Sequence, residues 1–176
     1  MTETPSSQTP QQVPNADHAW KALALVVDWI KHAETKAGVT LAAAGVASGV
    51  LYNLLKDATT PSTWLLLCSI LSALGLVATG LCAGCALWPR LRMKEEPTSL
   101  LYFHHIARGH PKSDTYTTSL ISLTADIDAL VGEIASQGWA NSKVAHKKYM
   151  WSGWAIRSLI LSLITLAATA GLRVID

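Results

Sequence analysis

The chain has 176 residues, half of them hydrophobic and 15% charged, with a formal net charge of +2 and a positive mean hydropathy of +0.28. That composition excludes an ordinary soluble domain and favours an integral membrane protein. The small net charge, with basic residues gathered beside apolar runs, excludes nucleic-acid binding.

Residues 1–16 hold Pro5, Pro10 and Pro14 among polar residues and lack an apolar signal-peptide core, so a disordered tail is expected. Asp17 is the expected cap of a helix beginning at His18. Over residues 17–36 Trp20, Leu23, Val27 and Ile30 share one face and Lys21, Asp28, His32 and Thr35 the other, a cytosolic or interfacial amphipathic helix. Its polar face is either a packed or interfacial surface or part of a ligand site. Nineteen uncharged residues follow, 37–55, spanning about 29 Å at helical rise, the thickness of a bilayer core. This is the first expected transmembrane helix, continuous with the amphipathic one or joined to it at the membrane surface. Within it Gly45 and Gly49 have the spacing that lets helix backbones approach closely.

A short turn containing Lys56, Asp57 and Pro61 leads to the strongest membrane signal, expected to span 64–88. No charge occurs from 58 to 89, Trp64 and Trp88 mark the two headgroup levels, and Gly80 and Gly84 repeat the close-packing spacing. Cys68, Cys82 and Cys85 all lie in this apolar run, where a thiol serves as a small hydrophobe and not as a metal or redox group. Pro89 is the expected stop, followed by Arg90, Arg92 and Lys94.

Residues 90–150 form a polar segment large enough for a cytosolic helical regulatory region. Glu95 and Glu96 before Pro97 favour a short helix carrying Leu100, Leu101, Tyr102, Phe103 and Ile106, ended by Gly109 and Pro111. Ser113 or Asp114 is the expected cap of a longer helix with Leu120, Leu123, Ile127, Leu130 and Ile134 on one stripe, suited to pairing within the subunit or across an oligomer. Gly138 is a candidate kink. The last expected span, 154–174, is bounded by Trp151, Trp154, Arg157 and Arg173. Ser158, Ser162, Thr165 and Thr169 form a hydroxyl stripe on it, for interhelical or backbone hydrogen bonds or for lining a pore. The fold class is therefore all-α, with three transmembrane helices and a cytosolic helical segment.

Lysine and arginine fall unevenly: three precede the first span, nine lie between the second and third through Arg157, and Lys56 and Arg173 stand alone. The positive-inside rule puts the N-terminus and residues 90–150 in the cytosol and the C-terminus outside.

No phosphate-cradling glycine loop, Gly-x-Ser-x-Gly or His-Glu-x-x-His is present, so no enzyme is expected, and His104, His105 and His110 lack the carboxylate or thiol company of a metal site. An anionic ligand such as a cyclic nucleotide needs cations for phosphate, aromatic faces for its base and carboxylates for its polar edges. Lys36, Arg108, Lys143 and Lys147 offer the first, Tyr102, Phe103 and Tyr116 the second, Asp28 and Glu34 the third. The candidate ligand residues are thus Asp28, His32, Glu34, Lys36, Tyr102, Phe103, Arg108 and Tyr116, with no catalytic residue and no cofactor.

His32-Ala33-Glu34-Thr35-Lys36-Ala37-Gly38 before a small-residue span resembles the membrane effectors of the Pycsar antiphage system, whose junction reads approximately Ala-Asp-x-Lys-Ala-Gly. Leu101 through Ala107 is similar to that family's Tyr-Phe-Gly-Asp-Ile-Ala element, with His104-His105 in place of Gly-Asp, and Lys147-Lys148-Tyr149 is similar to its basic-aromatic segment before the last span. The resemblance covers about residues 20–172. It implies a homo-oligomeric inner-membrane effector that responds to cyclic UMP or cyclic CMP from a partner cyclase by impairing the membrane and aborting infection. The rival expectations are an adaptor or structural membrane protein that binds a protein partner, and a membrane-disrupting protein not gated by nucleotide.

Overall fold

The structure, a computed structural model, describes residues 13–56, 58, 62–88 and 99–175. The expected tail as far as residue 12, the stop at Pro89 with its basic cluster, and the Glu95-Glu96-Pro97 helix start lie outside the described residues. Five helices are described: α1 (Ala16–Leu55), α2 (Thr63–Leu87), α3 (Phe103–Gly109), α4 (Ser113–Ala125) and α5 (Ile127–Ile175). Among the described residues there is no strand. Three helices, α1, α2 and α5, are long and apolar enough to cross a membrane. The chain divides into two units, one comprising Val26–Lys94 and Ala140–Asp176, the other Met1–Leu25 and Glu95–Trp139.

α1 is one unbroken helix of 40 residues, so the amphipathic segment and the first span are continuous. It begins two residues earlier than expected: Asn15 Oδ1 accepts the His18 N–H at 3.1 Å and the Asn15 carbonyl accepts from Ala19. Asn15, not Asp17, therefore fills the cap position. At the head of α2, Ser62 accepts the Leu65 N–H at 3.3 Å.

The bundle unit is built on a repeat absent from the apolar pattern. α1 buries Ala33, Ala37, Thr40, Ala44, Ala47 and Leu51. α2 buries Leu65, Ser69, Ser72, Leu76, Thr79, Ala83 and Ala86. From Ala145 onward α5 buries Ala145, Lys148, Ser152, Ala155, Ser162, Leu166 and Thr169. In all three the steps alternate between three and four residues, with half-buried Leu159 completing the α5 series. That period of 3.5 is the repeat of left-handed helix packing. The seam residues are mostly Ala, Ser and Thr, whereas Val39, Val46, Leu74, Leu81, Leu161 and Ile164 are exposed. Small residues inside and large apolar ones outside suit a bundle whose solvent is lipid, where close packing rather than water exclusion drives association.

Contacts at two levels set the directions. Lys148 meets Glu34 and Ala86 at one level, and Ser72 meets Ser162 farther along, while Ala44, Ala47, Leu51, Leu76 and Leu166 form one apolar cluster. α1 and α5 thus run the same way and α2 runs against both. The closest approach is at Gly75: a Cβ there would collide with Ser162 Oγ and lie 3.3 Å from Ser162 Cβ.

In the other unit the expected long helix from residue 113 is divided. α4 ends at Ala125 and Asp126 is extended, with φ −113° and ψ 108°. Its carboxylate accepts the N–H groups of Asp128 and Ala129 at 3.0 and 3.1 Å and so caps α5. Leu120 and Leu123 consequently stand on one helix, Ile127, Leu130 and Ile134 on the next, and no single stripe joins them. The cap of α4 is Lys112, before both expected residues, Ser113 and Asp114. α5 is helical without interruption through Gly138 to Ile175.

Candidate functional site

The feature that stands apart chemically is a lysine inside the small-residue seam. The Lys148 side chain is only 6% exposed. Taking an ammonium out of water costs several kcal/mol unless partners replace its hydration, and two do so here. Lys148 Nζ donates to Glu34 Oε1 at 2.8 Å and to the Ala86 carbonyl at 2.9 Å. Ala86 lies in the last turn of α2, where carbonyls lack helical partners and the helix dipole is negative. One side chain from α5 therefore neutralises an acid on α1 and caps α2.

Beside this node Lys36 Nζ stands 5.4 Å from the centre of the Tyr149 ring, a cation–π distance. One turn along α5, Ser152 is buried and its hydroxyl has no hydrogen-bond partner among the described residues. Farther along, the Arg157 guanidinium lies 5.2 Å over the Trp154 ring. The hydroxyl stripe turns inward at Ser162 and Thr169, both fully buried. Ser162, Thr165 and Thr169 donate to carbonyls of their own helix, and the Ser162 carbonyl accepts from Ser72 Oγ at 3.1 Å. Within the chain, these are interhelical and backbone hydrogen bonds. Gly45, Gly49 and Gly84 have open space at the Cβ position, and Gly80 has only Leu41 Cδ1 at 4.0 Å.

The other unit holds an aromatic and polar turn just before α3. The Leu100 N–H donates to Glu133 Oε1 and its carbonyl accepts from the Tyr116 hydroxyl, at 2.9 and 3.3 Å. The Ser99 N–H donates to His105 Nδ1 at 2.9 Å. Tyr102 packs against Phe103 and His105 at ring distances of 4.9 and 5.0 Å, and Tyr116 against His110 at 5.5 Å.

The candidate ligand residues divide accordingly. Asp28, His32, Glu34 and Lys36 belong to the bundle unit, and Tyr102, Phe103, Arg108 and Tyr116 to the other. Asp28 pairs with Lys31 at 3.3 Å on an exposed surface, His32 and Arg108 are exposed, and Glu34 is committed to Lys148.

The family model for the Pycsar effector protein domain matches residues 18–175. The chain belongs to the Pycsar effector family. Among curated proteins it is similar to the Pycsar effector protein PtPycTM of Propioniciclava tarda, 34% identical over 161 residues that cover 90% of this chain and 80% of that one. No solved structure matches. In this Pycsar effector two of the segments that carry the family resemblance, residues 32–38 and 147–149, meet through Glu34, Lys36, Lys148 and Tyr149. Lys148 is not among the candidate ligand residues that the sequence offers. Its signal is positional: it occupies a seam position whose two flanking members, Ala145 and Ser152, are small.

Proposed function

We propose that this Pycsar effector is a non-catalytic antiphage effector of the inner membrane, activated by cyclic UMP or cyclic CMP from a partner cyclase, and that its activation impairs the membrane and aborts infection. The N-terminus and residues 90–150 face the cytosol and the C-terminus lies outside, following the lysine and arginine distribution. Activated subunits act as a homo-oligomer.

Family membership supports this reading, and one observation carries it beyond the family name: the Glu34–Lys148–Ala86 node ties all three spanning helices at one end of the bundle. A ligand shifts a two-state equilibrium only by its differential affinity for the two states. A tie of three helices through one buried ammonium gives such a ligand a discrete arrangement to bias. The seam hydroxyls of Thr40, Ser69, Thr79, Ser162 and Thr169 already bond to their own helices, so rearrangement leaves these five satisfied and, among the hydroxyls, breaks only the Ser72 bond between helices.

The test is calorimetric titration of the full chain in detergent with cyclic UMP and cyclic CMP, using cyclic AMP and cyclic GMP as controls. Selective micromolar or tighter binding of one pyrimidine nucleotide is the expected result. Absence of binding by a folded sample overturns the sensor reading. Toxicity on expression without a cyclase would instead point to disruption not gated by nucleotide.

A further inference from the structure

A cleft of about 700 Å³ opens between α1 and α2 in the bundle unit, within the size range of small-molecule sites. Its lining follows α1 from Leu41 through Gly45 and Ser48 to Lys56, about 22 Å at helical rise. α2 contributes Ala73, Leu76, Val77 and Gly80. Gly45 and Gly80 keep its floor low, for neither carries a side chain to fill it.

The chemistry along this length identifies the occupant. Ser48, the hydroxyl in the middle of the cleft, already donates to the Ala44 carbonyl at 2.8 Å. Its neighbours on either side are aliphatic, so the occupant must be hydrocarbon there. At one end stand Tyr52 and Lys56, both exposed, and Lys56 has no ion-pair partner among the described residues. An occupant apolar along its length and anionic at one end is an acyl lipid with a phosphate headgroup. We infer that this cleft binds one acyl chain of an anionic phospholipid, whose phosphate pairs with Lys56 in the leaflet at that end of α1. Tyr52 sits at the level where aromatic rings favour the headgroup boundary. The site also gives Lys56 a role, since it is a basic residue placed apart from the cytosolic lysines and arginines.

The experiment is native mass spectrometry of the full chain, delipidated in detergent and then mixed with phosphatidylglycerol or phosphatidylcholine of identical acyl chains. Phosphatidylglycerol adducts should exceed phosphatidylcholine adducts by about fivefold, the effect of one lysine near an anionic surface. Lys56→Gln should remove the preference while leaving adducts of both lipids. Val77→Leu, which enlarges the wall of the cleft, should reduce adducts of both. Each variant is checked for unchanged helical content by circular dichroism. Equal retention of the two lipids by the unaltered chain, or a preference that survives Lys56→Gln, overturns the inference. So does a disulfide between two copies carrying Val77→Cys, with Cys68, Cys82 and Cys85 replaced by Ala, because a second copy's helix then fills the cleft.

Discussion

Ser162 on α5 holds its hydroxyl where the first atom of any side chain at Gly75 on α2 would have to sit. The same serine's carbonyl accepts the Ser72 hydroxyl at 3.1 Å, so the two helices are pinned together at this level by a missing side chain and by a hydrogen bond. Gly75→Ala should destabilise the bundle by about 1–3 kcal/mol, as overpacking does in well-packed interiors. Ser162→Gly should recover part of that loss in the double variant, a coupling visible in a double-mutant cycle of thermal unfolding in detergent. Gly45→Ala and Gly49→Ala, which face open space inside a helix, should not lower the unfolding temperature of the isolated subunit and should raise it slightly, as alanine is the better helix former.

The node at Lys148 predicts an asymmetry between its members. Glu34→Ala leaves a buried ammonium with the Ala86 carbonyl alone and should cost about 3 kcal/mol, whereas Lys148→Met leaves a carboxylate that is 43% exposed and able to hydrate. The Lys148→Met change should therefore be the milder of the two in thermal unfolding. If Glu34→Ala proved as mild as a surface substitution, the node would have no part in holding the helices together.

Activation offers a separate reading of the same node. Where it restrains the resting arrangement, Lys148→Met should lower the cyclic-nucleotide concentration needed for growth arrest in cells that carry the cyclase. A higher required concentration would place the node in the active arrangement instead.

Ser152 and Ser72 are both buried seam serines with opposite expectations. Ser72→Ala removes a hydrogen bond between helices and should cost about 1 kcal/mol. Ser152→Ala removes a buried hydroxyl with no partner among the described residues and should be neutral or stabilising by up to about 1 kcal/mol. Chemical or thermal unfolding of the two variants side by side measures the difference.

In the other unit Glu133 fastens the turn before α3 through the Leu100 N–H. Glu133→Ala leaves that amide without its acceptor, so hydrogen–deuterium exchange over residues 99–102 should accelerate at least severalfold relative to the parent chain. Tyr116→Phe, which frees only one lone pair of the Leu100 carbonyl, should have a smaller effect.

Three apolar helices were legible because bilayer thickness imposes a length of apolar chain that any hydropathy count detects, and the apolar run at 64–88 forms the helix Thr63–Leu87. The family was legible too, since the residues 32–38 and 147–149 keep their local pattern in one dimension. Local capping leaves a weaker mark on the sequence. Asp126 bonding forward to Asp128 and Ala129 breaks the helix without proline or glycine, and a stripe from Leu120 to Ile134 conceals that break.

What the sequence by itself determined is an all-α membrane protein of the Pycsar effector family, because hydrophobic length and local motif depend only on the order of residues. Which glycine admits a neighbouring helix of the same chain, Gly75 and not Gly45, Gly49 or Gly84, was decided by tertiary structure. So was the partner of Glu34, a lysine 114 positions away. Both depend on the register of one helix against another. That register is set by a seam of small residues whose 3.5-residue period is submerged, along the chain, beneath the stronger signal of the lipid-facing side chains.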